Sequence, residues 1–377
     1  MLHRCRRSPA SEPVAAELRC RGFRSARRGD GPARTGDSGR TVSSPIDDWR
    51  PSASWEVLEA RAGMLTRLRR DFDRAGFLEV ETPLLSGDVC VDEHIEPFVV
   101  SGLDDEQLFL QTSPEFAMKR LVADSARLIY QVTRAFRRDE VGGQHNPEFT
   151  MVEWYAPGST YLLQMDLVEH LVRGVAEVAP RCPPWTALPS SGEPFGRLSY
   201  DEAFARGLGV EVLGRSTDEL VELAGRELDS VPDSLDASDR DGWLNLLLAE
   251  RVEPTLGKDR PEFLYDFPSS QAALSRIRRG EVDVAERMEL YIDGLEICNG
   301  YQELTDADEL AGRMVEQSQR RASAGRRSLP VTSRLESAQR SGLPDCAGVA
   351  LGFDRLVMRT LGLERIEQVM AFPFRRA

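Results

Sequence analysis

The stretch Tyr130–Tyr155 reads YQVTRAFRRDEVGGQHNPEFTMVEWY, with two apolar runs around a polar loop that carries arginines and two glycines. The runs predict two antiparallel strands, Leu128–Arg137 and Glu148–Tyr155, since they are rich in residues that favour strands. The glycines accept the positive φ of a turn, and the loop 138–147 is longer than a two-residue hairpin connection. Such a loop on a rigid sheet often carries function, although an ordinary hairpin with exposed arginines fits the pattern equally well.

Composition limits the class of protein. The 377 residues are 41% hydrophobic with no apolar run of membrane-spanning length, which predicts a soluble protein without a membrane anchor. The net charge of -14 argues against broad, non-specific binding of nucleic acid. Six cysteines without Cys-x-x-Cys spacing and four histidines argue against a disulfide framework or a zinc site. A cytoplasmic location in a reducing compartment is the expectation.

The first 48 residues differ from the rest. They are rich in Arg, Ser, Gly and Pro and show no apolar periodicity, which predicts disorder. A start codon assigned too far upstream, or an organellar transit peptide, would give the same composition. Residues 49–377 are expected to form one domain with a helical insertion at about 160–260.

The ordered part begins with a helix and a strand. Ser52 or Ser54 is a suitable N-cap for a helix whose apolar residues share one face, and Gly76 is placed to end it. The segment FLEVETP, Phe77–Pro83, then alternates like a strand. Further on, Pro114 and Glu115 suit the first turn of a helix. Glu115 is either a favourable charge at that helix end or a ligand for a substrate amine.

The last quarter carries acids, glycines and an arginine. On a hairpin that turns at Asp293-Gly294, Glu289 and Glu296 can converge on one face. Two such acids suit a divalent cation that also binds phosphates, although two solvated glutamates fit as well. The small residues of GVALG, 348–352, permit close approach of backbone to a ligand or tight packing of a helix on the sheet. Arg355 follows in the first turn of a helix, where an anionic ligand is its natural partner.

Together these segments resemble class II aminoacyl-tRNA synthetases, and within them the lysyl branch. FLEVETP is similar to motif 1, FRRDEVGGQHNPEFTMVEWY to motif 2, GVALGFDRLVM to motif 3 and LEICNGYQELTDA to the lysine pocket. The resemblance covers residues 49–377. It implies an α+β fold, with an antiparallel β-sheet flanked by helices, and a homodimer that forms through motif 1.

The residues before motif 1 are too few for an anticodon-binding barrel, and the remaining domain is acidic, so tRNA is not the expected partner. The chain thus resembles the stand-alone paralogues that use ATP and Mg²⁺ to activate (R)-β-lysine and attach it to a lysine of elongation factor P. Two alternatives stay open: a truncated synthetase that charges tRNA or another acceptor with lysine, and a catalytically silent paralogue with a regulatory role.

The resemblance also implies roles for individual residues. Arg137 would hold the α-phosphate and the carboxylate of the amino acid, Arg355 the γ-phosphate, and Glu289 with Glu296 the magnesium. Glu303 and Tyr155 would bind the ammonium end of the lysine side chain. The remaining implied ATP-site residues are Arg138, Asp139, Asn146, Phe149, Ile297 and Gly352, and the remaining substrate-site residues are Ser113, Pro114, Glu115, Asn299 and Ala350.

Two features of the sequence differ from the usual family patterns. Ala350 stands where lysyl-tRNA synthetases have the middle glycine of motif 3, and its methyl group would narrow the site of the α-amino group. This predicts a preference for (R)-β-lysine over lysine, of the size expected for a one-carbon distinction. Motif 2 has Arg138-Asp139 in place of Asn-Glu; Asp139 or the adjacent Glu140 would then contact the adenine.

Overall fold

The structure is a computed structural model that describes residues 49–101, 107–179, 193–331 and 333–377. The prediction made for residues 1–48 lies outside the described residues. No helix in the described part of the chain is both long and apolar enough to span a membrane. The described helices are α1 (Trp55–Arg74), α2 (Glu115–Ser125), α3 (Tyr161–Glu177), α4 (Tyr200–Leu208), α5 (Thr217–Glu227), α6 (Arg240–Leu247), α7 (Ala307–Ser323), α8 (Arg334–Gly342) and α9 (Phe353–Thr360). The described strands are β1 (Leu78–Glu79), β2 (Leu85–Ser86), β3 (Val99–Ser101), β4 (Gln107–Leu110), β5 (Ile129–Phe136), β6 (Glu148–Pro157), β7 (Gly196–Ser199), β8 (Glu262–Pro268), β9 (Ile277–Arg278), β10 (Val284–Ile292), β11 (Leu295–Gln302) and β12 (Cys346–Gly352).

The main sheet runs in the order β1-β5-β6-β12-β11-β10-β8-β7, and β9 pairs with β10 beside this path. Along this order, the neighbouring strands β5, β6, β12, β11, β10 and β8 pair antiparallel. The edge strands β1 and β7 pair parallel with β5 and β8. Apolar side chains of α1, α3 and α9 pack on one face of the sheet. This architecture confirms the predicted α+β fold, an antiparallel sheet flanked by helices.

The central hairpin forms as predicted. β5 and β6 pair without a register shift, from Ile129 opposite Tyr155 to Phe136 opposite Glu148. The connecting loop contains an isolated bridge between Gly142 and His145. Because side chains alternate along a strand, β6 sends Val152, Trp154 and Ala156 into the core, whereas Glu153 and Tyr155 lie on the opposite face.

Helix α1 packs on this hairpin. The Ser54 hydroxyl caps it by accepting a hydrogen bond from the Val57 backbone N–H, at 3.4 Å. Phe72, near the other end, is fully buried and stacks on Tyr130 with ring centroids 4.3 Å apart. It also meets Trp154 edge-on at 5.3 Å. These aromatic contacts fix the helix on the sheet.

Motif 1 contains a shorter strand than the sequence predicts. Within Phe77–Pro83 only Leu78–Glu79 is a strand, and it lies at the edge of the main sheet beside β5. Strand alternation alone cannot show how far a partner strand extends, and here the parallel pairing covers only Leu78 and Glu79.

The segment predicted as a helical insertion contains helices α3 to α6 but also strand β7. β7 pairs parallel with β8, from Gly196 opposite Glu262 to Ser199 opposite Tyr265. The prediction of helix for residues 197–199 was therefore wrong, because four residues at a sheet edge show no periodicity that separates them from the helix that follows. Residues 180–192 lie outside the described part.

Strands β10, β11 and β12 bring the motifs of the final quarter beside the β5–β6 hairpin. β10 and β11 turn at Asp293-Gly294, where both residues have positive φ, as the tight turn requires. β12 lies between β11 and β6. Its Val349 and Leu351 enter the core, so Gly348, Ala350 and Gly352 share the opposite face.

Replacing Phe72 with alanine tests the packing of α1 on the hairpin. Phe72→Ala should lower the free energy of unfolding by about 3–5 kcal/mol, because a fully buried ring is lost and a cavity remains. The measurement is equilibrium urea denaturation. Phe374→Ala is the matched control, since that ring is 54% exposed and its loss should change stability by less than about 1 kcal/mol. Equal losses in the two variants would contradict this account of the core.

Candidate active site

A cavity of ≈ 1120 Å³ lies on the face of the sheet opposite α1, α3 and α9. Strands β6, β10, β11 and β12 contribute its floor, and helices α6 and α7 contribute to its walls. Most of the site residues implied by the sequence line this one cavity: Ser113, Glu115, Arg137, Asn146, Phe149, Tyr155, Glu289, Glu296, Ile297, Asn299, Glu303, Ala350, Gly352 and Arg355.

One end of the cavity is built from carboxylates. Glu303, directly after β11, and Glu115, at the start of α2, both bind the Lys119 ammonium, at 2.5 and 2.6 Å. Glu153 of β6 is buried beside them and accepts hydrogen bonds from the Tyr155 hydroxyl, at 2.6 Å, and from the Ser113 hydroxyl, at 2.8 Å. This concentration of carboxyl groups around a cavity suits a ligand with ammonium groups.

Gly348 makes room at this end. A Cβ atom at this position would lie 2.4 Å from Glu303 Oε1 and 2.4 Å from Cε1 of the Tyr155 ring. A glycine is therefore required here, because any side chain would push away the two groups implied in binding the ammonium of lysine.

Burial perturbs the acids of this end. Burial, and next the charge of Glu115, raise the pKa of Glu153 to about 8, so this carboxyl is largely protonated at neutral pH. Burial also raises the pKa of Glu303, while the Lys119 ammonium pulls it down. Burial lowers the pKa of Lys119, but Glu115 and Glu303 outweigh burial and raise it above its ordinary value. Lys119 is therefore a cation at all ordinary pH values.

The other end of the cavity carries arginines. The Arg137 guanidinium lies over the Phe149 ring, 5.2 Å from its centroid, and forms an ion pair with Glu140 at 3.1 Å. Across the cavity, Arg355 donates to the backbone carbonyl of Glu296 at 3.0 Å and contacts His145 Nε2 at 2.6 Å. Two arginines and an aromatic ring suit a nucleotide, whose phosphates and base they can bind.

Glu289 and Glu296 line the cavity between these ends, as the sequence predicts. Glu289 is 5% exposed and is held by Arg287, by Tyr291 and, at 3.2 Å, by the Asn299 side chain. Burial raises the pKa of Glu289. Glu296 is more open, with 40% of its side chain exposed, and contacts Arg355 at 3.4 Å.

These residues fit a magnesium ion that is shared with phosphates. Among the described residues no three His, Cys, Asp or Glu side chains are grouped so that they could hold a metal ion alone. Magnesium bound with a nucleotide needs only one or two carboxylates, which Glu289 and Glu296 supply. The buried Oδ1 of Asn299 has no hydrogen-bond partner in the described structure and adds an oxygen beside them.

Three of the implied residues lie away from the cavity. Pro114 precedes α2 as its N-cap residue, and Arg138 and Asp139 are exposed at the start of the motif 2 loop. Glu140 lines the cavity instead of Asp139. The chain turns after Arg137, and this turn directs the side chain of Glu140 inward. Glu140 therefore replaces Asp139 as the candidate acid for adenine.

Two further residues, Ile297 and Asn146, line the cavity, but their side chains make contacts outside it. Ile297 belongs to the core packed beneath the sheet. The Asn146 amide donates to the Glu148 carbonyl at 2.6 Å and accepts from the Phe374 backbone N–H at 2.9 Å. Gly143 of the same loop accepts a hydrogen bond from the Ile366 backbone N–H at 2.8 Å. The loop is thus fastened to residues 366–376, and Asn146 serves that attachment.

Sequence reasoning missed several cavity or near-cavity residues. Glu153 and Tyr155 share one face of β6, so strand alternation could have added Glu153 to the site. Lys119 follows Glu115 by one helical turn, a spacing that places the two side chains together. His145 carries no pattern of its own, and only the folded chain brings it beside Arg355. Arg287 lies two residues before Glu289 on β10, so strand alternation could have added it too.

The fold and the site together define a class II synthetase catalytic domain. The family model described as tRNA synthetases class II (D, K and N) matches residues 41–376, and the chain belongs to this family. The resemblance found in motifs 1 to 3 is confirmed.

Within the family, the chain is similar to elongation factor P--(R)-beta-lysine ligases. The ligase of Yersinia enterocolitica is 42% identical over 340 residues, which are 89% of this chain and 100% of the relative. The ligase of Proteus mirabilis is 41% identical over 340 residues, with the same coverage. That of Salmonella arizonae is 41% identical over 335 residues, 87% of this chain and 98% of the relative.

The glycine of the carboxylate end gives a direct test of the site. Gly348→Ala should weaken the binding of lysine-type ligands by about tenfold or more, because the added methyl displaces Glu303 and Tyr155. Calorimetric titration measures this. Gly312→Ala is the control, since Gly312 also lines the cavity but has nothing within 4 Å of an added Cβ. If both variants bind like the wild type, the carboxylate end is not the ammonium site.

The buried acid Glu153 should make stability depend on pH. The folded protein binds its proton more tightly than the unfolded chain, so this group stabilises the fold at low pH and ceases to do so as pH rises from about 4.5 to about 8. Glu153→Gln should therefore raise Tm by roughly 2 °C or more at pH 8 and have little effect at pH 4.5. Glu148→Gln, an exposed acid of the same strand, should change Tm little at either pH. An equal change of Tm by Glu153→Gln at both pH values would refute the prediction.

Proposed function

We propose that the protein activates (R)-β-lysine, or lysine, with ATP to an aminoacyl-adenylate and transfers the aminoacyl group to a lysine side chain of elongation factor P. One observation carries the proposal: a single cavity is lined by Glu303 and Tyr155, which suit an ammonium group, and by Arg137 and Arg355, which suit phosphates. The relatives named as elongation factor P ligases match along nearly their whole length and support the acceptor. A cytoplasmic location follows from that acceptor.

ATP and Mg²⁺ are the proposed cofactors. Arg355 would bind the γ-phosphate, Phe149 would stack on the adenine and Glu140 would contact the adenine edge. Glu289 and Glu296 would hold the magnesium, which when bound neutralises charge on the phosphates. Gly352 leaves the cavity floor open beside Arg355, whose Cδ would lie 3.6 Å from an added Cβ.

The first chemical step requires alignment more than acid–base catalysis. The substrate carboxylate is already a nucleophile, so its oxygen can bond to the α-phosphorus while pyrophosphate leaves. Arg137 would hold both reacting anions close together and reduce their repulsion. Its stacking on Phe149 and its contact with Glu140 orient the guanidinium before the substrates bind.

The second step transfers the aminoacyl group. The neutral amine of the acceptor lysine forms a bond to the carbonyl carbon of the mixed anhydride, the bond from that carbon to the phosphate oxygen breaks, and AMP leaves. The amine loses one proton as the amide forms. The carboxylate end meanwhile holds the substrate ammonium groups, so the activated carbon stays near Arg137.

Ala350 supports the preference for (R)-β-lysine. It lies on the cavity face of β12 between Gly348 and Gly352, opposite Glu153 on β6 and Asn299 on β11. Its methyl group therefore points where the backbone of a bound amino acid passes over the strand. An amino group moved one carbon along the substrate avoids this methyl.

A homodimer is the proposed assembly. Around motif 1, the apolar side chains Leu78, Leu84 and Leu85 are 44%, 41% and 42% exposed. Apolar residues exposed together often mark a protein interface. A second copy bound at this surface would cover the edge strand β1.

An acceptor assay tests the proposed function. Protein is incubated with ATP, Mg²⁺ and either (R)-β-lysine or lysine, in the presence of elongation factor P or tRNA, and the acceptor that gains mass is identified. Elongation factor P should gain the mass of β-lysine. Ala350→Gly should shift the preference toward lysine by roughly tenfold, the effect of one methyl group in a pocket.

Two results would contradict the proposal. Mass gained by tRNA alone would identify a synthetase that charges tRNA, and no adenylate with either amino acid would identify a silent paralogue. Arg137→Ala is the negative control: it should abolish adenylate formation while the protein keeps the wild-type circular dichroism spectrum.

A further inference from the structure

Lys119 is a buried lysine that the mechanism described above does not use. Its side chain is 1% exposed, and it lies on α2 one turn after Glu115. It does not line the cavity, yet its ammonium binds two carboxylates that do. A buried lysine costs free energy unless it is paired, so its position requires a reason.

The two carboxylates come from different parts of the fold. Glu115 begins α2, whereas Glu303 follows β11 and is held there by its backbone N–H, which donates to the Cys346 carbonyl at 2.9 Å. Lys119 Nζ lies 2.6 Å from Glu115 Oε1 and 2.5 Å from Glu303 Oε2. One nitrogen thus sets the spacing of the two acids across the cavity wall.

Each acid keeps an oxygen for a ligand. Lys119 takes only Oε2 of Glu303, and the remaining Oε1 lies beside Gly348 and the Tyr155 ring at the cavity wall. Lys119 takes only Oε1 of Glu115, whose side chain is 14% exposed at the same wall. Each acid that lines the cavity thus keeps one oxygen that Lys119 does not bind.

Charge gives the second reason. Three carboxyl groups, those of Glu115, Glu153 and Glu303, meet at this end of the cavity, and Lys119 is the cation bonded to two of them. Without a cation, adjacent buried carboxylates cannot all stay ionised, and an acid that takes up a proton loses its attraction for an ammonium group. The titratable groups that interact with this cluster are Cys90, Tyr155, Tyr301 and Cys346. The charges of Asp92, Arg137 and Asp345 act in turn on Cys90, Tyr301 or Cys346.

We propose that Lys119 is a positioning residue for substrate recognition: its buried ammonium ties Glu115 to Glu303, balances their negative charge in the empty cavity and leaves one oxygen of each for the ammonium groups of the substrate. The inference rests on the proposed function, because it takes a diamino acid as the ligand. Lys119 acts through the two acids and does not touch the substrate.

The test is the pH dependence of KM in amino-acid-dependent pyrophosphate exchange, measured with the full chain from pH 6.5 to 9. Lys119→Met should raise KM for (R)-β-lysine by about tenfold or more at pH 7. The increase should shrink toward pH 9, because loss of the Lys119 charge raises the pKa of Glu303 and higher pH ionises that carboxyl again. KM for ATP and kcat at saturation should stay within about threefold of the wild type.

Two further variants complete the design. Lys119→Gln removes the charge but keeps hydrogen-bond donors, so it serves if the methionine variant does not fold, and the same shift with pH is expected. Arg120→Met is the matched control, since Arg120 is the exposed cation next along the same helix. It should leave both KM values unchanged.

The outcomes separate this inference from the proposed function. Wild-type exchange combined with an unchanged KM in folded Lys119 variants overturns the role of Lys119 alone. A KM for (R)-β-lysine that rises equally at every pH, together with the KM for ATP, also overturns it and identifies a structural residue. A wild-type protein that shows no exchange with (R)-β-lysine or lysine overturns the proposed function and this inference with it.

Discussion

β6 pairs with β12 in a register that directs alternate side chains of both strands into the core and into the cavity. The rest of the site depends on this register. Tyr155 lies opposite Gly348, and Glu153 opposite Ala350, on the cavity face. Trp154 and its partner Val349 fill the core on the other face. A slip of one residue would bury the acids in the apolar core and expose the tryptophan, so the packing of α1 and α3 fixes the chemistry of the opposite face.

The cavity gathers buried charge that the fold alone does not require. Lys119 and Arg287 each lie beside acids that line the cavity, and burial raises the pKa of Glu153 and Glu289. Such groups weaken the empty protein unless they are paired. The ligands of the proposed function would pair with them and so would also stabilise the fold.

Much of the fold and the site follows from the sequence, and the exceptions have physical causes. Arg137, Phe149 and Glu303 were predicted for the site from the resemblance of their segments to motif 2 and the lysine pocket, and all three line the cavity. The strand in motif 1 was predicted too long and the strand β7 was not predicted, since the extent of each depends on a partner strand distant in the chain. Glu140 rather than Asp139 enters the cavity because a loop conformation decides which of two adjacent acids points inward, and Lys119 was missed because only tertiary structure brings Glu303 to it.

The attachment of the motif 2 loop to residues 366–376 has a consequence for biosynthesis. Gly143 and Asn146 receive hydrogen bonds from Ile366 and Phe374, and Arg376 contacts the hydroxyl of Ser52 ahead of α1. Asn146 and Phe374 are 228 residues apart in the chain. During translation the hairpin therefore leaves the ribosome well before Ile366 and Phe374. The motif 2 loop can therefore make these contacts only after residues 366–376 have been synthesised, so its attachment forms late on a nascent chain.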